Sequence, residues 1–238
     1  MRRIAIVLAG GIVVLAAAAA GYLLWMGSAG GDPGFFESEI AAFEARDREA
    51  PPAPGGIVFV GSSSIRLWDT LAEDFAPLPT IRRGFGGAHM EHVVHNARRI
   101  VTPYAPRAVV VFCGGNDIGS GKDAARVEAD YRAFLDIVHA DVPDADVWFF
   151  SMKPSKLRWE QWGEMEKVNA ALREIAAEDP RRHVINVSDV LLGADGKPRD
   201  VYIFDGLHLN ARGYAAWTSV VRPVLMEAYG PDAAAPRG

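Results

Sequence analysis

The stretch Phe59-Val60-Gly61-Ser62-Ser63-Ser64 closes a short apolar run, Ile57 to Val60, on a glycine and then presents three hydroxyls where a helix should begin. The β-branched and aromatic run is long enough for a buried parallel strand and too short for a helix. Such a strand needs helices on both of its faces, so this stretch points to an α/β architecture. It also leaves a serine just past the strand's carboxyl end, the edge at which open parallel sheets bind ligands.

Working outward, Ala108-Val109-Val110-Val111-Phe112 repeats the pattern and runs into Cys113-Gly114-Gly115-Asn116-Asp117. Thr80 to Arg83 is a weaker strand leading into Gly84-Phe85-Gly86-Gly87, while Asp146 to Ser151 and His183 to Val187 complete five. Between them apolar residues recur at helical spacing. Phe36, Ile40 and Phe43 mark a helix over 35–48, Met90, Val93, Ala97 and Ile100 a second, Val127, Tyr131, Phe134 and Val138 a third, and Met165, Val168, Leu172 and Ile175 a fourth. A last helix is expected from about Ala211 to Tyr229, with Asn210 placed to cap it. Strands alternating with helices predict a parallel sheet covered on both faces, in one domain over 35–229. The Pro- and Ala-rich residues 230–238 read as a loose tail.

The N-terminal residues 1–26 stand apart. Arg2 and Arg3 precede an uncharged run from Ile4 to Met26, which as a helix would be roughly 35 Å long and would cross a hydrocarbon core of about 30 Å. This run is expected to be a transmembrane anchor, or a signal segment removed near Gly27-Ser28-Ala29, joined to the domain by the Gly-rich linker 27–34. The two arginines orient the N-terminus to the cytoplasm. The domain is therefore expected to face the periplasm or exterior from the inner membrane, or to be secreted if the segment is cleaved.

The 238 residues carry 25 basic and 30 acidic side chains, a formal net charge of −5. That balance repels a phosphate backbone and excludes nucleic acid as a partner. The single cysteine, Cys113, excludes an internal disulfide, and no cysteine cluster holds a structural zinc.

By the strand-edge rule, Ser63 follows the first strand, Gly87 the second, Asn116 the third and Lys153 the fourth, with Asp205 and His208 beyond the fifth. A serine hydroxyl becomes a nucleophile when a base takes its proton, and His208 is the best-placed imidazole. Asp205, three residues earlier with Gly206 easing the turn, would hold the other ring nitrogen. The N–H groups of Ser63 and Gly87 and the amide of Asn116 would form an oxyanion hole.

Several rival readings fail on spacing. A nucleophile elbow needs Gly-x-Ser-x-Gly, and position 65 is Ile. A P-loop needs lysine where Ser62 stands. His89, Glu91, His92 and His95 do not form His-Glu-x-x-His and read as a solvated helix face rather than a metal site, though His89 could touch substrate at the rim. Arg66 could reach the cleft mouth, whereas Trp68 reads as core. Lys153 and Trp159, with Lys156, Arg158 and Trp162, follow the fourth strand and either line a substrate site or anchor a helix start.

Four ordered blocks resemble those of the SGNH hydrolases, the GDSL family of esterases and lipases: Gly61-Ser62-Ser63-Ser64, Gly84-Phe85-Gly86-Gly87, Gly114-Gly115-Asn116-Asp117 and Asp205-Gly206-Leu207-His208. The resemblance covers nearly all of the chain after the linker. It implies a flavodoxin-like three-layer α/β/α sandwich around a five-stranded parallel sheet, with Ser63, His208 and Asp205 as triad and Ser63, Gly87 and Asn116 as oxyanion donors. Ser62 stands where relatives carry aspartate; Ser63 matches the nucleophile by register, with Ser62 and Ser64 as alternates. The expectation is a serine ester hydrolase, working through an acyl-enzyme without metal or cofactor, on a small-molecule, lipid or glycan ester outside the cytoplasm. The rival of another class is a non-catalytic envelope ligand-binding protein on the same scaffold.

Overall fold

A computed structural model describes residues 31–231. The expected anchor or signal segment at 1–26, linker residues 27–30 and tail residues 232–238 lie outside the described residues. Among the described residues no helix is long and apolar enough to cross a membrane.

The sheet has five strands, β1 (Ile57–Gly61), β2 (Thr80–Gly84), β3 (Ala108–Phe112), β4 (Asp146–Phe150) and β5 (Arg182–Ile185). They lie in the order β2-β1-β3-β4-β5 and every neighbouring pair is parallel. The order reverses between β1 and β3, which creates the crevice where ligands of open α/β sheets bind. Strand periodicity sorts the side chains into two cores. Val58, Val60, Val109, Val111, Val147 and Phe149 face one layer of helices: α1 (Glu37–Glu49), α4 (Met90–Ile100), α6 (Ala124–Asp141) and α7 (Trp162–Ala177). Ile57, Phe59, Val110 and Phe150 face the other, made by α2 (Ser63–Arg66), α3 (Leu71–Phe75) and α8 (Ala211–Tyr229).

The second face is packed by aromatics. Trp68, Phe59, Phe75, Phe150 and Trp217 are fully buried, and the Trp68 ring meets Phe75, Tyr214 and Trp217 at centroid distances of 5.5, 5.3 and 5.7 Å. Trp68 is core, and its Nε1–H donates to Asp74 at 2.6 Å. Burial of each such ring stabilises the fold by about 1.5–3 kcal/mol.

Helix ends follow local chemistry. Asn210 caps α8, its side chain accepting from the N–H groups of Arg212 and Gly213, and Asp123 caps α6 by accepting from Arg126. The expected fourth and fifth strands are shorter at their carboxyl ends, because Ser151 turns its hydroxyl to accept from the N–H groups of Val187 and Ser188 and so ends the ladder. Three short helices that sequence periodicity does not reveal, α2, α3 and α5 (Gly115–Gly119), each span one turn or so, below the window in which a helical stripe shows.

One sequence expectation is corrected. His89 and His92 do not lie on a solvated helix face: both are buried, and only His95 is exposed. The reason is local. His89 precedes α4, and its N–H donates to His92 Nδ1 at 2.9 Å while Phe36 packs edge-on against the His92 ring, so α1 covers this end of the helix.

Candidate active site

Ser63 is the first residue of α2, two positions after β1 ends. The chain makes that exit only with glycine at 61, where φ is 149° and an added Cβ would lie 2.0 Å from the Phe112 carbonyl oxygen. The Ser62 N–H donates to that same carbonyl at 3.1 Å and ties the turn to β3.

His208 reaches Ser63 from the far end of the chain. The Ser63 Oγ lies 2.9 Å from His208 Nε2, and His208 Nδ1 lies 2.6 Å from Asp205 Oδ2. The other Asp205 oxygen accepts from the N–H groups of Leu207 and His208, each at 2.9 Å, so the carboxylate is fixed before it meets the ring. An ionised carboxylate only accepts, which assigns the ring proton to Nδ1 and leaves the Nε2 lone pair for the Ser63 hydroxyl proton. Burial alone would raise the Asp205 pKa, but the hydrogen bonds from the His208 ring and the two backbone N–H groups outweigh it and hold the carboxyl below its ordinary value. Burial lowers the His208 pKa; Asp205 opposes this, and the cations Lys153 and Arg158 reinforce it. The imidazole is thus neutral near pH 7 and able to accept a proton.

Asn116 lies on α5 at the end of β3. Its Nδ2 donates to the Ala88 carbonyl at 2.9 Å, next to Gly87, where φ is 82° and glycine is the favoured residue. Behind these loops Asp117 accepts from the Met90 N–H at 3.0 Å and from Lys122 Nζ at 3.1 Å, which ties α5 to the start of α4.

The cleft beside Ser63 opens to solvent and is lined by Ser62, Asn116, Lys153, Arg158, Met165 and Leu207 among others. Lys153 is 7% exposed, its ammonium donates to the Leu207 carbonyl, and burial with the Arg158 charge pushes its pKa down to about 7. Outside the cleft, Phe204 is fully exposed next to Asp205, with Leu157 and Ile203 also exposed.

The structure therefore brings Ser63, His208 and Asp205 together, and sets Asn116 and Lys153 on the same cleft. It places the other three possible lining residues elsewhere. Arg66 lines a separate depression with Glu39, Arg46 and Arg82, because α2 carries it toward β2 and Gly86. His89 is 1% exposed, its ring 3.6 Å from Asp117, and so cannot reach the rim. Trp159 stacks on Trp162 with the rings 10° from parallel, at the start of α7. Sequence reasoning grouped Arg158 with the cations after the fourth strand and gave it no link to Asn116. Its Nη2 lies 3.0 Å from Asn116 Oδ1, a contact between residues 42 apart that no local spacing announces. Among the described residues no group of three or more His, Cys, Asp or Glu is arranged to hold a metal ion.

The model of the GDSL-like Lipase/Acylhydrolase family matches residues 56–216, from the start of β1 into α8. The chain belongs to that family. It is accordingly an ester hydrolase of the GDSL/SGNH kind. Among curated relatives, platelet-activating factor acetylhydrolase IB subunit alpha1 of Homo sapiens is 26% identical over 181 residues, covering 74% of this chain and 78% of the relative. Among solved structures, a protein from Streptococcus pneumonia superposes with a TM-score of 0.73 at 20% identity, covering 88% of this chain and 99% of the other. A GDSL-like lipase from Bacteroides thetaiotaomicron gives 0.67 at 18%, covering 79% and 98%. At these identities the structural likenesses speak for the GDSL fold, and the sheet order and layers agree with it.

Proposed function

We propose that this GDSL-family enzyme cleaves short-chain acyl esters, acetyl esters foremost, by an acyl-enzyme route at Ser63. The observation that carries the reading is the continuous hydrogen-bonded line from Asp205 through His208 to the Ser63 hydroxyl. His208 Nε2 takes the Ser63 proton as Oγ attacks the ester carbonyl. The negative charge that develops on the carbonyl oxygen is received by the N–H groups of Ser63 and Gly87 and by the Asn116 amide. The protonated His208, stabilised by Asp205, then gives its proton to the leaving alcohol. Water, deprotonated by the same imidazole, attacks the acyl-Ser63 and releases the acid. Lys153 lines the space beside the nucleophile, with its pKa taken down to about 7 by burial and the Arg158 charge.

What supports a short acyl group is that the curated relatives are named as acetylhydrolases. The leaving-group side would be the open rim with Phe204 and Leu157. A membrane tether through Ile4 to Met26, holding the enzyme toward extracytoplasmic esters, belongs to the same proposal and rests on sequence alone. An intact mass starting at Met1 on membrane-extracted protein supports the tether, and a mature start near Gly30 replaces it with secretion.

The test of the chemistry is a fluorophosphonate probe together with a series of p-nitrophenyl esters. Wild type should be labelled covalently, labelling should vanish in Ser63→Ala, and kcat/KM should be highest for acetate and fall with each added pair of methylenes. A folded wild type that takes no label sinks the serine mechanism. A maximum at octanoate or longer sinks the short-acyl reading.

A further inference from the structure

We propose that Arg158 is the positioning residue for the Asn116 side chain, fixing which end of that amide faces the Ser63 cleft. The inference rests on reading Asn116 as an oxyanion donor. A primary amide has two ends of nearly equal size and opposite polarity. With Nδ2 toward the cleft it stabilises an oxyanion; turned over, it presents a carbonyl oxygen and repels one.

Two contacts set the orientation. Asn116 Oδ1 accepts from Arg158 Nη2 at 3.0 Å, and one Nδ2–H donates to the Ala88 carbonyl at 2.9 Å. That contact engages one of the two Nδ2–H groups and leaves a second, and Asn116 lines the cleft beside Ser63. Turning the amide over would set its NH₂ group against the guanidinium and its oxygen against the Ala88 carbonyl, two repulsions in a buried place. The Arg158 contact is charge-assisted and so about twice as strong as a neutral one. It also withdraws electron density from Oδ1 and strengthens the opposite N–H as a donor.

The guanidinium is itself held in place. Nη1 donates to the Gly115 carbonyl at 2.7 Å, and the Arg158 backbone N–H donates to Ser155 Oγ at 3.2 Å. The head group packs against the short helix α5, so close to Gly119 that a Cβ there would be 2.8 Å from Arg158 Cζ. Glycine at that site leaves the room the guanidinium occupies. The loop after β4 thus supports the donor carried by the loop after β3.

A double-mutant cycle on the full chain tests this, with kcat and KM measured on p-nitrophenyl acetate for wild type, Arg158→Ala, Asn116→Ala and the pair. Losing one oxyanion donor costs about 10²–10³ in kcat. Arg158→Ala should cost roughly 10–100-fold in kcat, with KM within about threefold, as expected of a group that acts through that donor. In the Asn116→Ala background the same change should alter kcat by less than about twofold. Equal losses in both backgrounds, or an effect confined to KM, would overturn the assignment. Should Arg158→Ala fail to fold, Gly119→Ala carries the same test by crowding the guanidinium: a kcat loss that vanishes without Asn116 supports the role, and an unchanged or additive result removes it. Wild type that is labelled at Ser63 and active while the cycle is additive removes only the role of Arg158. Folded wild type with neither label nor turnover removes the serine chemistry itself.

Discussion

His208 with Asp205 and His89 with Asp117 are both histidine–carboxylate pairs at the carboxyl edge of one sheet, and their surroundings differ in every respect that matters for chemistry. The first pair is half open, 2.6 Å apart, and leads to a serine hydroxyl at 2.9 Å. The second is sealed, 3.6 Å apart, and among the described residues His89 Nδ1 has no hydrogen-bond partner. Burial pushes the Asp117 pKa up to about 6 and takes His89 down to about 4, whereas the backbone and ring donors around Asp205 hold it below its ordinary value. Asp117 spends its oxygens on the Met90 N–H and Lys122, tying two loops together. The same residue types thus form an open hydrogen-bonded line to a serine hydroxyl in one place, the arrangement the proposed chemistry uses, and a sealed clamp in the other.

Exchanging the histidines tests that contrast most sharply. His208→Ala should lower kcat by about 10⁴-fold or more and leave the unfolding midpoint near that of wild type. His89→Ala should cost about 1–3 kcal/mol of stability through a buried void, with kcat kept within roughly tenfold. Chemical denaturation beside steady-state kinetics reads both, and the reverse pattern would put the active histidine in the sealed pair.

A smaller effect appears in the pH dependence of catalysis. Because the His208 pKa is lowered, the acid limb of kcat/KM should have its midpoint below pH 6.5, with activity falling as the imidazole gains a proton. A midpoint clearly above 6.5 would mean that Asp205 dominates burial and the two cations.

The smallest effect separates the carboxylates by sign. The Asp117 pKa is raised in the fold, from 3.8 to about 6, so the native state binds more protons than the unfolded chain in that window, and this group's contribution to stability declines as pH rises through it. Asp205 has a lowered pKa, so its contribution is present above the unfolded value near 3.8 and is lost as pH falls. Asp117→Asn should therefore flatten the decline of stability between pH 4 and 6, while Asp205→Asn should weaken the protein more at pH 6 than at pH 3. Urea midpoints across that range measure both, and slopes that move the other way would show that Lys122 keeps Asp117 ionised.

The sequence carried the architecture well, because short β-branched and aromatic runs such as Ile57 to Val60 and helical stripes of Val, Phe and Leu are local signals. Ser63, Asn116, Asp205 and His208 were legible for the related reason that strand ends fix their common edge. What was not legible arises from contacts between distant loops. Arg158 reads as a cation of the substrate edge or a helix anchor, with nothing tying it to Asn116 until the β4 loop folds over α5, and His89 and His92 read as solvent-facing until α1 lies across them. Arg66 was misplaced by a single turn of helix, since α2 is too short to show a periodicity that would say which way its side chains face.

Ser63 and His208 are 145 positions apart and meet only when the end of β1 and the turn before α8 have both reached their final places. A nascent or half-folded chain therefore contains an ordinary alcohol and a separate imidazole, and no reactive serine. On the proposed chemistry, covalent capture at Ser63 would report only molecules in which these two distant segments have met, and a single cut between β5 and His208 should silence it if the fragments part.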